Sequence, residues 1–463
     1  MRILLTLAAI SCVFAKPIVA SNSADRRHHQ VRRSLSFTPQ NEYTLAEEYD
    51  LGDTKTLFRV DPPRVLKDGE DPAGSQRLFR MGEESDFGGS SPTITLLAKP
   101  TTIWRPKSGV SYQQARLRSL REKENEPVEW EETEILAPDI QDLHTIGQLA
   151  RMTGNAYALP GHSNWYDIDL EWNTSFPIGW EDTTDGFRGH VFVTPDNSTV
   201  VLSIKGTTLQ GPTSKKDKFN DNLLFSCCCA RVDISWVFST VCDCYAKNWR
   251  CDNTCLNEAL VEDSLFYSIG VNLINNLTAA YPTSDIWLVG HSLGGGLASL
   301  LGTTFGLPAV AFEAPGERLA AERLHLPFPP RSSTFKTKYG SAPVTHIYHN
   351  ADPIPQGVCT GLGSPCASAG FALETRCHLG RSIVYDTVGK LGWKVDVRKH
   401  PIRQVIKGVL EVDVGGWEDP DDPLRVRREV PVPQEEEDCI DCFKWEFGDF
   451  KDLPEGEKDA SLV

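Results

Sequence analysis

The stretch Ile286-Trp-Leu-Val-Gly-His-Ser-Leu-Gly-Gly-Gly-Leu-Ala-Ser-Leu contains the pattern that decides the fold. Its residues 290–294 match G-x-S-x-G, in which a serine occupies a strained turn between a strand and a helix. The apolar residues before Gly290 predict a buried strand, and the small and apolar residues after it predict a helix. Glycines flank the serine because strand and helix pass too closely for Cβ atoms. The pattern therefore predicts a nucleophile at Ser292, whereas the same five residues without such flanks can be an ordinary turn.

Strands and helices are predicted in alternation around this turn. A hairpin is predicted for residues 189–206, because β-branched residues flank a bend at residues 195–197. Helical spacing of apolar residues predicts helices at 135–156, 264–281 and 402–409. Short apolar runs predict strands at 309–313 and 344–349. This alternation is typical of an α/β sheet of hydrolase type.

A nucleophilic serine needs a base, and the base needs an acid that orients it. In hydrolases with this turn the acid and then the histidine follow the serine along the chain. Asp352 comes directly after the strand at 344–349 and is the predicted acid, and His400, on a loop before the last helix, is the predicted base. The alternatives are Asp386 and Asp396 for the acid, and His349, His378 and His291 for the base.

The negative charge that develops on the substrate oxygen needs hydrogen-bond donors. The backbone N–H of Leu293, the residue after the nucleophile, is the first predicted donor. A second is predicted in the loop 205–208 that follows the hairpin, where Thr207 also offers a hydroxyl group. The alternative for this loop is a plain glycine turn at the end of a strand.

The acidic charge lies mainly in the last part of the chain. The formal net charge is −16, and residues 411–463 hold 18 acidic and 6 basic side chains, so this part carries −12 and the rest −4. We therefore interpret residues 413–463 as an acidic, solvated and flexible tail. The remainder shows no basic face, so no nucleic acid is expected as a partner.

The N-terminus and the cysteines predict the secretory pathway. Residues 1–20 have the charged, apolar and small-residue pattern of a signal peptide, and they are also a candidate signal anchor. Cys12 lies in this segment, and the other 12 of the 13 cysteines, seven of them within 227–255, predict disulfides. Zinc at the Cys439/Cys442 or Cys242/Cys244 pairs is the competing interpretation, which the spacing disfavours, so we expect no metal. Sequons for glycosylation start at Asn173, Asn197 and Asn276.

The remaining chain divides into three predicted parts. Residues 21–100 are a loosely ordered lead-in, and residues 101–412 are the catalytic domain. Within that domain, residues 209–262 form a cysteine-rich insertion before the nucleophile turn. This insertion is either a lid whose Phe225, Trp236 and Phe238 meet a lipid surface, or a disulfide-stapled subdomain with these side chains buried.

Four stretches resemble the fungal autophagy-related vacuolar lipases of the class 3 lipase group. They are Lys218-Phe-Asn-Asp-Asn-Leu-Leu-Phe-Ser-Cys-Cys-Cys-Ala, Gly306-Leu-Pro-Ala-Val-Ala-Phe-Glu-Ala-Pro-Gly-Glu-Arg, His349-Asn-Ala-Asp-Pro-Ile-Pro and Leu373-Glu-Thr-Arg-Cys-His-Leu-Gly. The resemblance covers about residues 100–412. It implies an α/β-hydrolase fold and a triad of Ser292, Asp352 and His400, with no cofactor.

The resemblance also implies a function and a location. The function is a lipase or phospholipase that degrades membrane lipids and triacylglycerols of autophagic bodies and multivesicular-body vesicles. The location is the endosomal membrane, as a glycosylated single-pass type II protein, and the vacuole lumen. This chain departs from the family in its short N-terminal apolar run, which bears on the anchor and not on the enzyme. The alternatives are a membrane-binding or remodelling protein with a vestigial site, and a soluble thioesterase, esterase or peptidase.

Overall fold

A computed structural model describes residues 31–36, 49–51, 54–56, 59–65, 77–80, 95–123, 126–169, 175–180, 186–228, 241–263, 265–330, 335–359, 364–418 and 427–450. The strands are β1 (Val31–Ser36), β2 (Tyr49–Leu51), β3 (Thr54–Thr56), β4 (Arg59–Val65), β5 (Arg77–Arg80), β6 (Thr95–Pro106), β7 (Trp130–Pro138), β8 (Ser175–Ile178), β9 (Gly189–Val193), β10 (Thr199–Ile204), β11 (Arg250–Asp252), β12 (Asp285–His291), β13 (Ala309–Phe312), β14 (Val344–His349), β15 (Arg381–Tyr385), β16 (Trp417–Glu418), β17 (Arg427–Arg428) and β18 (Glu446–Gly448). The α-helices are α1 (Gly109–Glu122), α2 (Leu143–Asn155), α3 (Ser214–Phe225), α4 (Asn253–Asp263), α5 (Leu265–Ala280), α6 (Leu293–Phe305), α7 (Arg318–Arg323), α8 (Pro365–Ala369), α9 (Thr387–Leu391) and α10 (Ile402–Val405). A 3-10 turn spans Val397–Lys399, and a π-helix, Ile406–Leu410, continues α10.

A seven-stranded sheet forms the centre of the molecule, in the order β15-β14-β13-β12-β10-β9-β8. The five strands from β10 to β15 in this order are parallel, and β9 and β8 are added antiparallel at one edge. The predicted hairpin is the β9–β10 pair, and the predicted α/β sheet of hydrolase type is confirmed. Parallel strands end at the same edge of a sheet, so the loops after β10, β12, β13 and β14 emerge side by side.

Both faces of the sheet are covered by helices. Successive residues of a strand point to opposite faces. Accordingly, Trp287 and Val289 of β12 pack in a cluster with α2, whereas Ile286 and Leu288 pack in a second cluster with α5 and α6. Residues 286–289 of β12 are therefore all apolar, as expected where a strand is buried on both faces.

One secondary-structure prediction is partly wrong. Residues 135–138 were predicted as the start of a helix, but they end strand β7, which pairs antiparallel with β6. The helix begins only at Leu143, because Asp142 caps it by accepting a 2.7 Å hydrogen bond from the N–H of Thr145. The burial of Ile135 and Ala137 on alternate positions shows the period of a strand rather than a helix.

The acidic C-terminal region is not a solvated tail between residues 427 and 450, so the prediction of a solvated and flexible tail is wrong for these residues. We call these residues the C-terminal strap. Disulfides join Cys442 to Cys227 and Cys439 to Cys377, and β18 pairs parallel with β11. Acidic side chains of the strap accept hydrogen bonds from the catalytic domain; for example, the Asp441 carboxylate accepts the N–H of Arg376 at 2.7 Å. Charge composition alone misled the prediction, because it does not distinguish a solvated carboxylate from one that has a partner.

The innermost contact of the strap is an ion pair. His378, buried at 2% exposure, donates from Nδ1 to Glu436 Oε1 at 2.7 Å and from Nε2 to the carbonyl of Ala314 at 3.2 Å. Burial lowers the pKa of His378, but Glu436 and Glu317 outweigh burial and raise it to about 9. Burial raises the pKa of Glu436, but His378 outweighs it and lowers this pKa to about 2. Both groups are therefore charged over a wide pH range.

The disulfide prediction is confirmed for the described cysteines. Besides the two bonds of the strap, pairs form between Cys228 and Cys251, Cys244 and Cys255, and Cys359 and Cys366, and Cys242 is also disulfide-bonded. The cysteines of the proposed zinc pairs are therefore in disulfides. Within the described part of the insertion, Phe225 is fully buried, so it does not meet a lipid surface as the lid hypothesis required. Trp236 and Phe238 lie outside the described residues.

The remaining predictions concern the N-terminus and glycosylation. Residues 1–20 and Asn173 lie outside the described residues, as does most of the lead-in. Among the helices that are described, none has both the length and the apolar character to cross a membrane. Asn197 is 5% exposed in the turn of the hairpin at φ +55°, and its glycosylation stays a prediction. Asn276 is half-buried on α5, and its glycosylation stays a prediction.

We expect the Glu436→Gln variant to lose stability relative to the wild type mainly between about pH 4.5 and 6.5. Within this window His378 is below its ordinary pKa of 6.5 and Glu436 is above its ordinary pKa of 4.5, so both shifts stabilise the folded state in full. The loss should shrink as pH rises through about 9 or falls through about 2. Melting temperatures across this range measure it.

Glu437→Gln is the matched control. Glu437 is the next residue of the strap, but its carboxylate pairs with Lys336 at the surface, where an ion pair contributes little. A pH-independent difference between wild type and Glu436→Gln would contradict the assignment of a charged His378–Glu436 pair.

Candidate active site

Ser292 lies in a strained turn between β12 and α6. Its φ is +58° and its ψ is −129°, a backbone conformation that residues other than glycine rarely adopt. A Cβ at Gly290 would lie 2.1 Å from the carbonyl oxygen of Gly294, and one at Gly294 would lie 2.2 Å from that of Ile204. The two glycines are thus required by close approach of backbone, which is the reason that the sequence pattern implied.

Ser292, His400 and Asp352 form a continuous chain of hydrogen bonds. His400 Nε2 lies 2.9 Å from Ser292 Oγ, and His400 Nδ1 lies 2.6 Å from Asp352 Oδ2. The other oxygen of Asp352 accepts the N–H of Ile354 at 3.0 Å. Burial raises the pKa of Asp352, but the charge and hydrogen bond of His400 outweigh burial, and the net pKa is lowered. The acid is therefore ionised, and His400 Nδ1 holds a proton while Nε2 can accept one from the serine.

The alternative acids and bases are engaged elsewhere. Asp386 caps α9 through the N–H of Gly389, and Asp396 pairs with Arg398. His378 is bound to the strap, and His349 Nε2 lies 3.2 Å from the backbone carbonyl of Lys399. The structure thus brings together the three residues that the sequence favoured.

His291, next to the serine in sequence, contacts the base His400 through a hydrogen bond and a ring contact. Its Nε2 donates to the carbonyl oxygen of His400 at 2.8 Å, and its ring centroid lies 4.6 Å from that of His400. The hydroxyl of Tyr157 donates to its Nδ1 at 2.8 Å. Burial, and then the neighbouring His400, lower the pKa of His291 to about 3, so the ring is neutral and can be donor and acceptor at once. His291 is therefore not the base, but it contacts the loop that carries the base.

The loop that was predicted to supply an oxyanion donor is tied to α3. Lys205 Nζ donates to the carbonyl of Gly206 at 2.7 Å and pairs with Asp217 Oδ2 at 2.8 Å, and both side chains are buried. Asp217 also accepts the N–H of Thr208 at 2.9 Å. These contacts fix the loop in place, which a plain glycine turn would not require. Leu293, the other predicted donor, begins α6, so its N–H has no acceptor within the helix.

Thr207 forms a short hydrogen bond with a second aspartate of α3, Asp221. Burial raises the pKa of Asp221 to about 8. When Asp221 is ionised, the Thr207 hydroxyl donates to it. When Asp221 is protonated, the carboxyl group can donate instead, which frees the Thr207 proton to bind an oxyanion in the cavity that Thr207 lines.

A cavity of about 740 Å³ opens beside Ser292 and His400. Its wall is mainly apolar and comes from the loops after β10 and β14, α8 and the segment that leads into α10. The apolar residues of this wall are Leu209, Ile354, Pro365, Ala369, Phe371, Leu373, Val397, Pro401 and Ile402. A cavity of this size and character accommodates an acyl chain.

Asp217 and Asp221 are not among the site residues that the sequence predicted. Two aspartates four residues apart share one face when the chain is helical, but the sequence patterns did not predict a helix there. The insertion was interpreted as a cover, whereas α3 lies beneath the loop and Phe225 at its end contacts α6 near Gly296.

The chain is similar to known fungal lipases. Residues 211–311 match the family model described as "Lipase (class 3)". The protein named "Putative lipase ATG15" of Cryptococcus neoformans var. neoformans serotype D (strain B-3501A) is 46% identical over 444 residues, which are 85% of this chain and 80% of that protein. Its namesake in Mycosarcoma maydis is 41% identical over 75% of each chain. Lipase II from Rhizopus niveus aligns over 52% of this chain and 80% of its own at 18% identity, with a TM-score of only 0.25.

We expect the activity of the wild type on a soluble ester to fall as pH rises through about 8, where Asp221 ionises and its carboxylate accepts the hydrogen bond of the Thr207 hydroxyl. The Asp221→Asn variant should keep its activity there, because its amide donates to Thr207 at every pH. Thr207→Val should lower kcat by roughly 10²–10³, the usual cost of a lost oxyanion donor. Thr207→Ser is the control that keeps the hydroxyl. An unchanged alkaline decline in Asp221→Asn would refute the role of this pair.

Proposed function

The chain belongs to the ATG15 family of fungal lipases, and on that premise we propose that Ser292 is the nucleophile that hydrolyses carboxylic esters of membrane lipids. The chain is a class 3 lipase with an α/β-hydrolase fold. The observation that carries the proposal is the hydrogen-bonded chain Asp352–His400–Ser292, which opens into the apolar cavity.

The first half of the reaction forms an acyl-enzyme. His400 Nε2 takes the hydroxyl proton while Ser292 Oγ bonds to the ester carbonyl carbon, and the carbonyl oxygen becomes an oxyanion. The N–H of Leu293 and the donors of Thr207 stabilise that charge. The imidazolium of His400, stabilised by ionised Asp352, then gives its proton to the leaving alcohol oxygen as the C–O bond breaks.

The second half of the reaction hydrolyses the acyl-enzyme and regenerates the free enzyme. His400 takes a proton from a water molecule, whose oxygen attacks the acyl carbon and forms a second oxyanion at the same donors. The bond from the carbon to Ser292 Oγ then breaks, and His400 returns the proton to the serine. The products are a fatty acid and the alcohol.

Apolar side chains at the surface support a lipid aggregate as the substrate. Leu209, which lines the cavity, is 72% exposed. Val358 follows the loop of Asp352 and is 55% exposed, and Val395, two residues before the cavity residue Val397, is 54% exposed. These side chains would enter the acyl layer of a membrane and bring the cavity to the ester.

The cellular location of the protein and the membranes on which it acts are also part of the proposal. Five disulfides in the described residues require an oxidising compartment, which supports passage through the secretory pathway. Together with the family, this supports action on autophagic bodies and multivesicular-body vesicles inside the vacuole, reached through endosomes. The N-terminal segment as signal peptide or type II anchor, and the division of the chain into lead-in, catalytic domain and insertion, remain parts of the proposal.

We expect purified protein to release fatty acid from phosphatidylcholine vesicles and from a triolein emulsion, with the products measured by lipid analysis. Ser292→Ala should lower the rate by roughly 10⁴- to 10⁶-fold, since the nucleophile is lost. Ser368→Ala, an exposed serine of α8 beside the cavity, is the control and should leave the rate unchanged.

Two results would point to the alternative functions. Leakage of vesicles by folded Ser292→Ala at the wild-type rate would indicate membrane remodelling without hydrolysis. Rapid hydrolysis of short soluble acyl esters or thioesters, with no activity on vesicles or emulsion, would indicate a soluble esterase or thioesterase.

A further inference from the structure

A second carboxyl group lies beside the acid of the candidate triad. Glu313 follows β13 directly, and Asp352 follows the neighbouring strand β14. Both side chains are fully buried. Glu313 has a φ of +45°, in the left-handed region that favours glycine, while its N–H donates to the carbonyl of Ile347 at 3.0 Å. A strained backbone that holds a buried carboxyl group in place indicates a constraint beyond packing.

Of the four oxygen atoms in the two carboxyl groups, one has no N–H or O–H donor among the described residues. Glu313 Oε1 accepts the N–H of His349 at 3.1 Å. Both oxygens of Asp352 already accept N–H donors, from Ile354 and from His400. No N–H or O–H group of the described residues donates to Glu313 Oε2, although this atom is buried. The Asp352 carboxyl group faces Glu313 within hydrogen-bond contact, and the imidazole Nε2 of His349 lies 3.7 Å from Glu313 Oε1.

Two ionised carboxylates cannot bond to each other, because neither has a proton to donate. Ionised together, they would also be like charges that share a buried site. Asp352 keeps its charge because His400 faces it. Burial, and then the charge of Asp352, raise the pKa of Glu313 well above its ordinary value. The proton is therefore on Glu313.

The other groups that face this pair do not change that conclusion. His349 and Tyr348 come from β14, and His400 and Lys399 come from the loop before α10. Burial lowers the pKa of His349, so this ring does not supply a cation to Glu313. Burial raises the pKa of Tyr348, which is likewise uncharged.

We propose that Glu313 is a positioning residue, a protonated acid whose Oε2–H donates a hydrogen bond to the carboxylate of Asp352 and holds it toward His400. This inference rests on the proposed function, since it gives Asp352 its role as the orienting acid. Glu313 does not touch the substrate. It supplies a third donor to Asp352, besides the N–H groups of Ile354 and His400, and so restrains rotation of the carboxylate when His400 moves its proton.

The first test needs no turnover. Infrared spectra of the folded protein near neutral pH, wild type minus Glu313→Gln, should contain the carbonyl band of a protonated carboxylic acid. Glu317→Gln is the matched control. Glu317 is also fully buried, but His346 and its other partners outweigh burial and lower its pKa, so its difference spectrum should show carboxylate bands. Carboxylate bands in the Glu313 difference spectrum would overturn the proposal whether or not the protein is a lipase.

The second test is rescue by the conservative variant. Glu313→Gln keeps a donor toward Asp352 and should retain a kcat close to that of the wild type. Glu313→Leu removes the donor and should lower kcat by roughly 10- to 100-fold, as expected for one hydrogen bond to a charged group, with KM little changed. Equal kcat values for folded Glu313→Leu and wild type would overturn the positioning role. If Glu313→Leu does not fold, the infrared result still decides the proposal.

Discussion

The close approach of α6 to β10 and β12 is the constraint on which the rest of the site depends. Only glycine fits at positions 290 and 294, and between them the chain must turn so sharply that Ser292 takes a positive φ. That turn directs the serine hydroxyl toward the edge where the parallel strands end. Thr207 after β10, Glu313 after β13 and Asp352 after β14 reach the same edge because these strands are parallel, so the turn places the serine among groups from three other strands.

Much of this arrangement could be predicted from the sequence, because its signals are local or depend on chain order. Gly290 to Gly294 encode the turn, and the position of Asp352 after a strand encodes its place at the edge of the sheet. His400 followed from its place before the last helix. None of these inferences required knowledge of contacts between distant segments.

The features that the sequence did not predict are pairings across the chain. Glu436 and His378 are 58 residues apart. The sequence of an acidic run does not show whether its carboxylates face water or pair with a buried imidazolium. Asp221 and Glu313 were missed for a related reason, since a single carboxyl group shows its protonation only through the burial and neighbours that the fold gives it. Buried carboxyl groups thus occur at two places in the site, at Asp221 beside Thr207 and at Glu313 beside Asp352. At both places burial makes a hydrogen-bond donor of a residue that is normally an acceptor.

The disulfide between Cys227 and Cys442 also has a consequence for the biosynthesis of the protein. Its two cysteines are 215 residues apart, and the second follows all three residues of the triad along the chain. Cys227 therefore has no native partner until a further 215 residues have been synthesised, while Cys228, directly beside it, pairs across only 23 residues. A nascent chain holds the complete catalytic sequence with Cys227 still unpaired. Its correct closure thus comes after the residues of the triad have been synthesised, and it depends on thiol–disulfide exchange in the compartment that receives the chain.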